Sequence, residues 1–158
     1  MKYLASDATF SDCGKYRYSL TRVLGEGPRL VMFVGLNPST ADGLQDDPTI
    51  RRCVGFARAW EFDVLLMANL HAFRSTDPRG LLTVADPVGP DNVDTVKKFS
   101  MRAETIVAAW GANQLHPVAE ELGCWLAALP RTFCFGLTKN GSPKHPLYLP
   151  KDSVLRRV

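Results

Sequence analysis

Excess charge is the first thing the chain lacks: 19 Lys and Arg against 16 Asp and Glu leave a formal net charge of +3 over 158 residues. So slight a basicity permits a polyanionic partner without arguing for one. Cysteine is sparse as well. Cys13, Cys53, Cys124 and Cys134 stand far apart with no C-x-x-C pair, which argues against the tight ligand spacing of zinc and iron–sulfur sites and favours buried thiols. No apolar run approaches the ~20 residues that span a bilayer, and residues 1–7 lack the apolar stretch of a secretory leader. A cytoplasmic, monomeric protein with reduced thiols, no membrane partner, no metal and no cofactor is expected. Repeats, low-complexity tracts and long linkers are also missing. With 46% hydrophobic residues, a chain of this length predicts one domain around a well-buried core.

What is present is a rhythm of short apolar runs and amphipathic stretches. Residues 16–24 alternate apolar and polar side chains, and Gly25-Glu26-Gly27-Pro28 turns the chain into the apolar run 30–34. This predicts a leading hairpin followed by a buried strand. Asp47 is a good N-cap before Pro48, which suits a first helical turn, and Ile50, Val54, Ala57 and Glu61 follow at helical spacing beside Trp60. The spacing predicts a helix over 48–60, with Arg51, Arg52 and Arg58 on another face. Further buried strands are predicted at 62–68, 105–110 and 132–135, with helices at 91–103 and along the stripe Val118, Leu122, Trp125, Leu126 and Leu129. The order implies an α/β fold: a three-layer α/β/α sandwich with a central, mostly four-stranded parallel sheet plus an N-terminal β-hairpin.

In open sheets of this kind, ligands sit outside the carboxyl ends of the strands. Asn37 follows the first buried strand, Asn69, His71 and Arg74 the second, Trp110 and Gly111 the third, and the stretch from Lys139 to His145 the fourth. All are expected at one edge. Neutral hydrogen-bonding groups, imidazoles and cations, with few carboxylates, suit a polar planar ligand better than metal-dependent hydrolysis.

Three motifs, in order, resemble those of the uracil-DNA glycosylase superfamily: Gly35-Leu36-Asn37-Pro38, Leu65-Leu66-Met67-Ala68-Asn69-Leu70 and His145-Pro146-Leu147-Tyr148. The resemblance implies that Asn37 positions or activates a water, that Asn69 reads the edge of a flipped base, and that His145 hydrogen-bonds the base carbonyl. Leu147 or Tyr148 would be the wedge that fills the gap in the duplex. Ser39 stands where the strict uracil enzymes carry a bulky tyrosine, which implies a larger, five-substituted pyrimidine. Residues 69–78 are also similar to the iron–sulfur branch, but its cysteine spacing is absent and no cluster is expected. The chain also resembles an uncharacterised family of small bacterial and phage proteins, through Gly35-Leu36-Asn37-Pro38-Ser39-Thr40-Ala41-Asp42, Asp46-Asp47-Pro48-Thr49 and the terminal Gly141 to Tyr148 segment. That likeness covers nearly the whole chain and names no function.

The chemistry is consistent with these residue types. Breaking an N-glycosidic bond leaves negative charge on the departing base, which calls for a donor aimed at its carbonyl and a placed water. A flipped base also calls for stacking, for which Phe56 is the candidate, with His71 a further binding candidate. Plainer readings stand beside these. Asn37 before Pro38 also suits a turn, His71 and His116 also suit structural roles, and Asp47 reads best as a cap. Arg51, Arg74, Lys139 and Lys144 suit either phosphate contact or a solvated surface. A DNA glycosylase is the leading expectation; a non-catalytic nucleobase or modified-DNA binding module, or an enzyme acting on free nucleotides, is the alternative.

Overall fold

The four central apolar runs become strands because each can bury both faces, and the stretches between them form helices that cover those faces. The computed structural model describes residues 2–158. Its strands are β1 (Ala5–Phe10), β2 (Arg17–Val23), β3 (Leu30–Gly35), β4 (Val64–Asn69), β5 (Thr105–Ala108), β6 (Thr132–Cys134) and β7 (Arg156–Arg157). The helices are α1 (Pro48–Ala59), α2 (Asn92–Ser100) and α3 (Pro117–Ala127). The result is a mixed α/β fold with one seven-stranded sheet in the order β1-β2-β4-β3-β5-β6-β7.

β4, β3, β5 and β6 run parallel to one another. The hairpin β1–β2 is antiparallel and joins the sheet through β2 against β4, so β4 separates β2 from β3 even though β3 follows β2 in the chain. The two-residue β7, which the apolar pattern does not reveal, pairs antiparallel with β6.

Alternation along the strands sorts the core into two faces. Val31 and Phe33 of β3 join Leu65, Met67 and Val107 beneath Ile50, Cys53, Val54, Phe56 and Ala57 of α1. Met32 and Val34 join Leu66, Ala68, Ile106 and Ala108 against Val96 of α2 and Ala119, Leu122 and Leu126 of α3. Each large side chain so buried contributes about 1.5–3 kcal/mol.

α1 starts where the sequence indicates: the Asp47 carboxylate accepts a 2.8 Å hydrogen bond from the Ile50 N–H, and Pro48 occupies the first turn. It stops one residue earlier than expected. Glu61 adopts a left-handed φ of 58° and donates its N–H to the Arg58 carbonyl, which turns the chain off the helix axis and leaves Glu61 exposed, not on the apolar stripe. The cysteine reading needs a similar correction. Cys53 and Cys134 are buried, but Cys13 and Cys124 are exposed.

The long loop between β3 and α1 is held by a buried arginine. Arg22 on β2 donates from Nε to Asp46 at 2.9 Å and from Nη2 to the Asp42 carbonyl at 2.6 Å, and Tyr3 donates its hydroxyl to Asp46. This clamp fixes the segment that leads into Asp47 and the N-terminus of α1.

Candidate functional site

A cavity of about 250 Å³ is walled by Gly35, Asn69, Trp110 and His145, which end or follow β3, β4, β5 and β6 respectively. It lies at the carboxyl ends of the parallel strands, as open α/β sheets favour. Asn69 is the last residue of β4, in register with Gly35 of β3. Only 1% of Asn69 is exposed, yet neither its Nδ2 nor its Oδ1 has a protein partner. Native folds rarely leave a buried amide unsatisfied on both atoms, which singles Asn69 out among the residues of the cavity wall. Gly35 makes the space: a Cβ there would lie 2.8 Å from Asn69 Oδ1 and 2.7 Å from Met67 Cε.

His145 caps the 3₁₀ turn Pro146–Tyr148, its Nδ1 accepting from the Leu147 N–H at 3.3 Å. That bond assigns the ring proton to Nε2. Burial pushes the imidazole pKa below the ordinary 6.5, against the opposing pull of the Asp47 charge. The ring is therefore a neutral donor at physiological pH. Asn37 spends its amide N–H groups on the Ser75 carbonyl (2.8 Å) and the Pro38 carbonyl (3.0 Å), tying the loop after β3 to the loop after β4. Its Oδ1 is left to accept from a cavity occupant. Leu36 and Ser39 line the same wall; Pro38, expected to bind as well, does not line the cavity, and its carbonyl is taken up by the Asn37 amide and the Ser75 N–H.

Two charged residues complete the cavity. Asp47 lines it with a carboxylate of which one oxygen is tied to the Ile50 N–H. Arg17, 2% exposed, donates from Nη1 to the Ala41 carbonyl at 2.6 Å, while its Nε has no partner; burial lowers its pKa to about 10.

The family comparison matches residues 17–147, from the cavity's Arg17 to the residue that bonds His145. The chain belongs to DUF1643, a protein family of unknown function. No curated protein and no solved structure matches the chain significantly.

Other expected site residues of this DUF1643 chain lie elsewhere. His71 is buried outside the cavity lining with both ring nitrogens engaged by backbone, Nδ1 on the Leu36 carbonyl (3.1 Å) and Nε2 accepting from the His116 N–H (3.2 Å), so the binding role is replaced by a structural one. Phe56 is 2% exposed and packs among Trp60, Phe135 and Phe33 with Arg52 over its ring, so it is a core aromatic and not a stacker. Trp110 is the aromatic that reaches the cavity.

Arg74 turns toward the hairpin, over the Phe10 ring and onto the Gly14 carbonyl, and Arg51 donates to the Asp46 carbonyl. Lys139 and Lys144 are exposed and do not line the cavity. Leu147 is half-buried beside His145, while Tyr148 projects with 91% exposure. Arg17 was missed because an arginine in an alternating strand reads as solvent-facing, and Asp47 because its capping role accounted for it. Among the described residues no group of three or more His, Cys, Asp or Glu is placed to hold a metal ion, and no helix is long and apolar enough to cross a membrane.

Proposed function

We propose that the cavity receives a pyrimidine-type base flipped out of DNA and that the chain hydrolyses its N-glycosidic bond, on a three-layer α/β/α framework of the glycosylase kind. The observation that carries this reading is the Asn69 carboxamide, buried and unpartnered on both atoms, in a cavity that also holds a neutral imidazole with its proton on Nε2. A carboxamide offers one donor and one acceptor side by side, the complement of an N–H next to a carbonyl on a pyrimidine edge. The His145 Nε2–H would donate to a base carbonyl where negative charge grows as the bond to the sugar breaks. Being neutral, it needs no proton transfer to act.

Asn37 Oδ1 and the free oxygen of Asp47 are the acceptors available to orient a water toward C1′ of the sugar; Asp47 is the one able to take its proton. The base then leaves with the electron pair of the broken bond. A cavity of about 250 Å³ has room for a single pyrimidine base. Ser39 on its wall, small where a bulky side chain would fill space, supports a substituted ring. Exposed Tyr148, with Leu147 beside it, is the wedge in this reading, and Lys139, Lys144 and Arg51 are the phosphate contacts, in a cytoplasmic setting.

Duplex and single-stranded oligonucleotides carrying uracil, thymine or a five-substituted pyrimidine test the reading, with alkali converting each abasic site to a strand break. Excision that drops by about 10²–10³ in His145→Ala and by a comparable factor in Asn37→Ala, with unchanged circular dichroism, is expected. A salt-sensitive mobility shift with no abasic product on any substrate would instead assign a binding module.

A further inference from the structure

Arg17 opens β2 and is anchored there by its own N–H, which donates to the Ala72 carbonyl at 2.9 Å. Its side chain is 2% exposed and lines the cavity, with Nη1 on the Ala41 carbonyl and Nε unpartnered. Arg22, on the same strand and equally buried, offers the comparison. Arg22 has its anion built in, a 2.9 Å ion pair with Asp46. Arg17 has no such contact: among the described residues the only ion pairs are Arg22–Asp46, Arg29–Glu104 and Arg79–Asp77, and the Asp47 and Asp42 carboxylates act on Arg17 only from beyond ion-pair distance. A guanidinium buried without a direct ion-pair partner is costly, and its planar fork of donors fits the two oxygens of an oxyanion.

A second feature of the cavity also favours negative charge. Thr49 and Ile50 of the 12-residue helix α1 line it, so the positive end of the helix faces the same space. Asp47 contributes an opposing charge, but one of its oxygens is held by the Ile50 N–H and it makes no ion pair with Arg17, so the guanidinium remains available.

We propose that the cavity's ligand carries an oxyanion, a carboxylate or phosphate joined to the planar ring, which Arg17 binds while Asn69 holds the ring's donor–acceptor edge. The ring part rests on the base-site reading above; the charge part stands on Arg17 and the adjoining helix end, independently of that reading. Both sources of the oxyanion share one chemistry: an acidic substituent on the base itself, or the phosphate of a nucleotide.

Isothermal titration of the full chain at constant ionic strength with uracil, 5-carboxyuracil and deoxyuridine monophosphate separates them. At least one anionic probe is expected to bind ten-fold or more tightly than uracil, a gain of about 1.4 kcal/mol. Preference for 5-carboxyuracil assigns the charge to the base, and preference for the monophosphate assigns it to the nucleotide. Arg17→Met should bring the favoured probe down toward the affinity of uracil, while Arg17→Lys keeps part of the gain; thermal melts verify that each variant is folded. The wild-type comparison needs no variant. Uracil binding as tightly as both anions overturns the oxyanion site and leaves the base site standing. Arg17-dependent binding of the anions without base excision keeps the oxyanion site and removes the glycosylase reading. No binding of any probe overturns the oxyanion site, and excision from the oligonucleotides then decides the base-site reading by itself.

Discussion

Replacing Asn69 by leucine should make the protein more stable and less able to recognise its ligand. The side chain is 1% exposed and neither polar atom has a protein partner, so the ligand-free protein bears part of the desolvation cost of a buried amide. An unsatisfied buried polar group costs about 1–3 kcal/mol. Leucine has a similar size but no polar atoms, and its packing against Met67 and Gly35 will not be ideal, so a net gain of about 1–2 kcal/mol is expected. For a chain of this length, about 2–4 °C of melting temperature accompanies each kcal/mol, which places the rise at roughly 2–8 °C.

Recognition should move the other way. A ligand that had paired with the amide would leave its own donor and acceptor unmatched against leucine, a loss of about 2–4 kcal/mol, or roughly 30- to 1,000-fold in kcat/KM or Kd. Differential scanning calorimetry gives the first number, and excision or titration gives the second. A leucine variant destabilised by more than about 1 kcal/mol would show that the amide supports the fold, and the reasoning from its unpartnered atoms would be wrong.

Two further outcomes follow from the buried charges. Asp46→Ala strips Arg22, which is fully buried, of its counter-ion and should cost about 3–5 kcal/mol in urea unfolding; a loss below 1 kcal/mol would mean that the loop clamp is unimportant. Burial holds both His71 and His145 below the ordinary value of 6.5, so the unfolded chain takes up protons more readily than the folded one. The stability they contribute is present above pH 6.5 and is lost as pH falls through their lower folded values. His71 sharpens the effect, since a proton on Nε2 removes the acceptor for the His116 N–H. A melting temperature that stays level from pH 7 to pH 5 would contradict this, and His71→Gln should flatten the decline.

The elements were legible in the residues to differing degrees. The apolar runs mark β3, β4, β5 and β6 because strands buried on both faces need no polar alternation, and Asp47-Pro48 marks the start of α1 because capping is a local interaction. Glu61 fits the helical stripe by spacing yet leaves the helix, since the left-handed turn that ends α1 follows from where the chain must go next. The two-residue β7 carries no pattern of its own and exists only because β6 offers an edge.

The candidate site divides along the same line. By itself, the order of strands and polar motifs determined that Asn37, Asn69 and His145 fall at one end of the sheet, because chain direction in a parallel sheet puts every such loop on the same side. Only the tertiary structure decided which side chains enter the cavity. Asn69 faces it and His71, two residues on, is locked onto backbone; Trp110 reaches it while Phe56 is spent in the core. Arg17 and Arg22 look alike as residues of one strand, yet one is paired with Asp46 and the other is left with a free Nε at the cavity wall. Periodicity records which positions are buried, but the partner a buried group meets is set by segments distant in the chain, and for the Arg17 Nε and both polar atoms of Asn69 the chain's own hydrogen bonding supplies none.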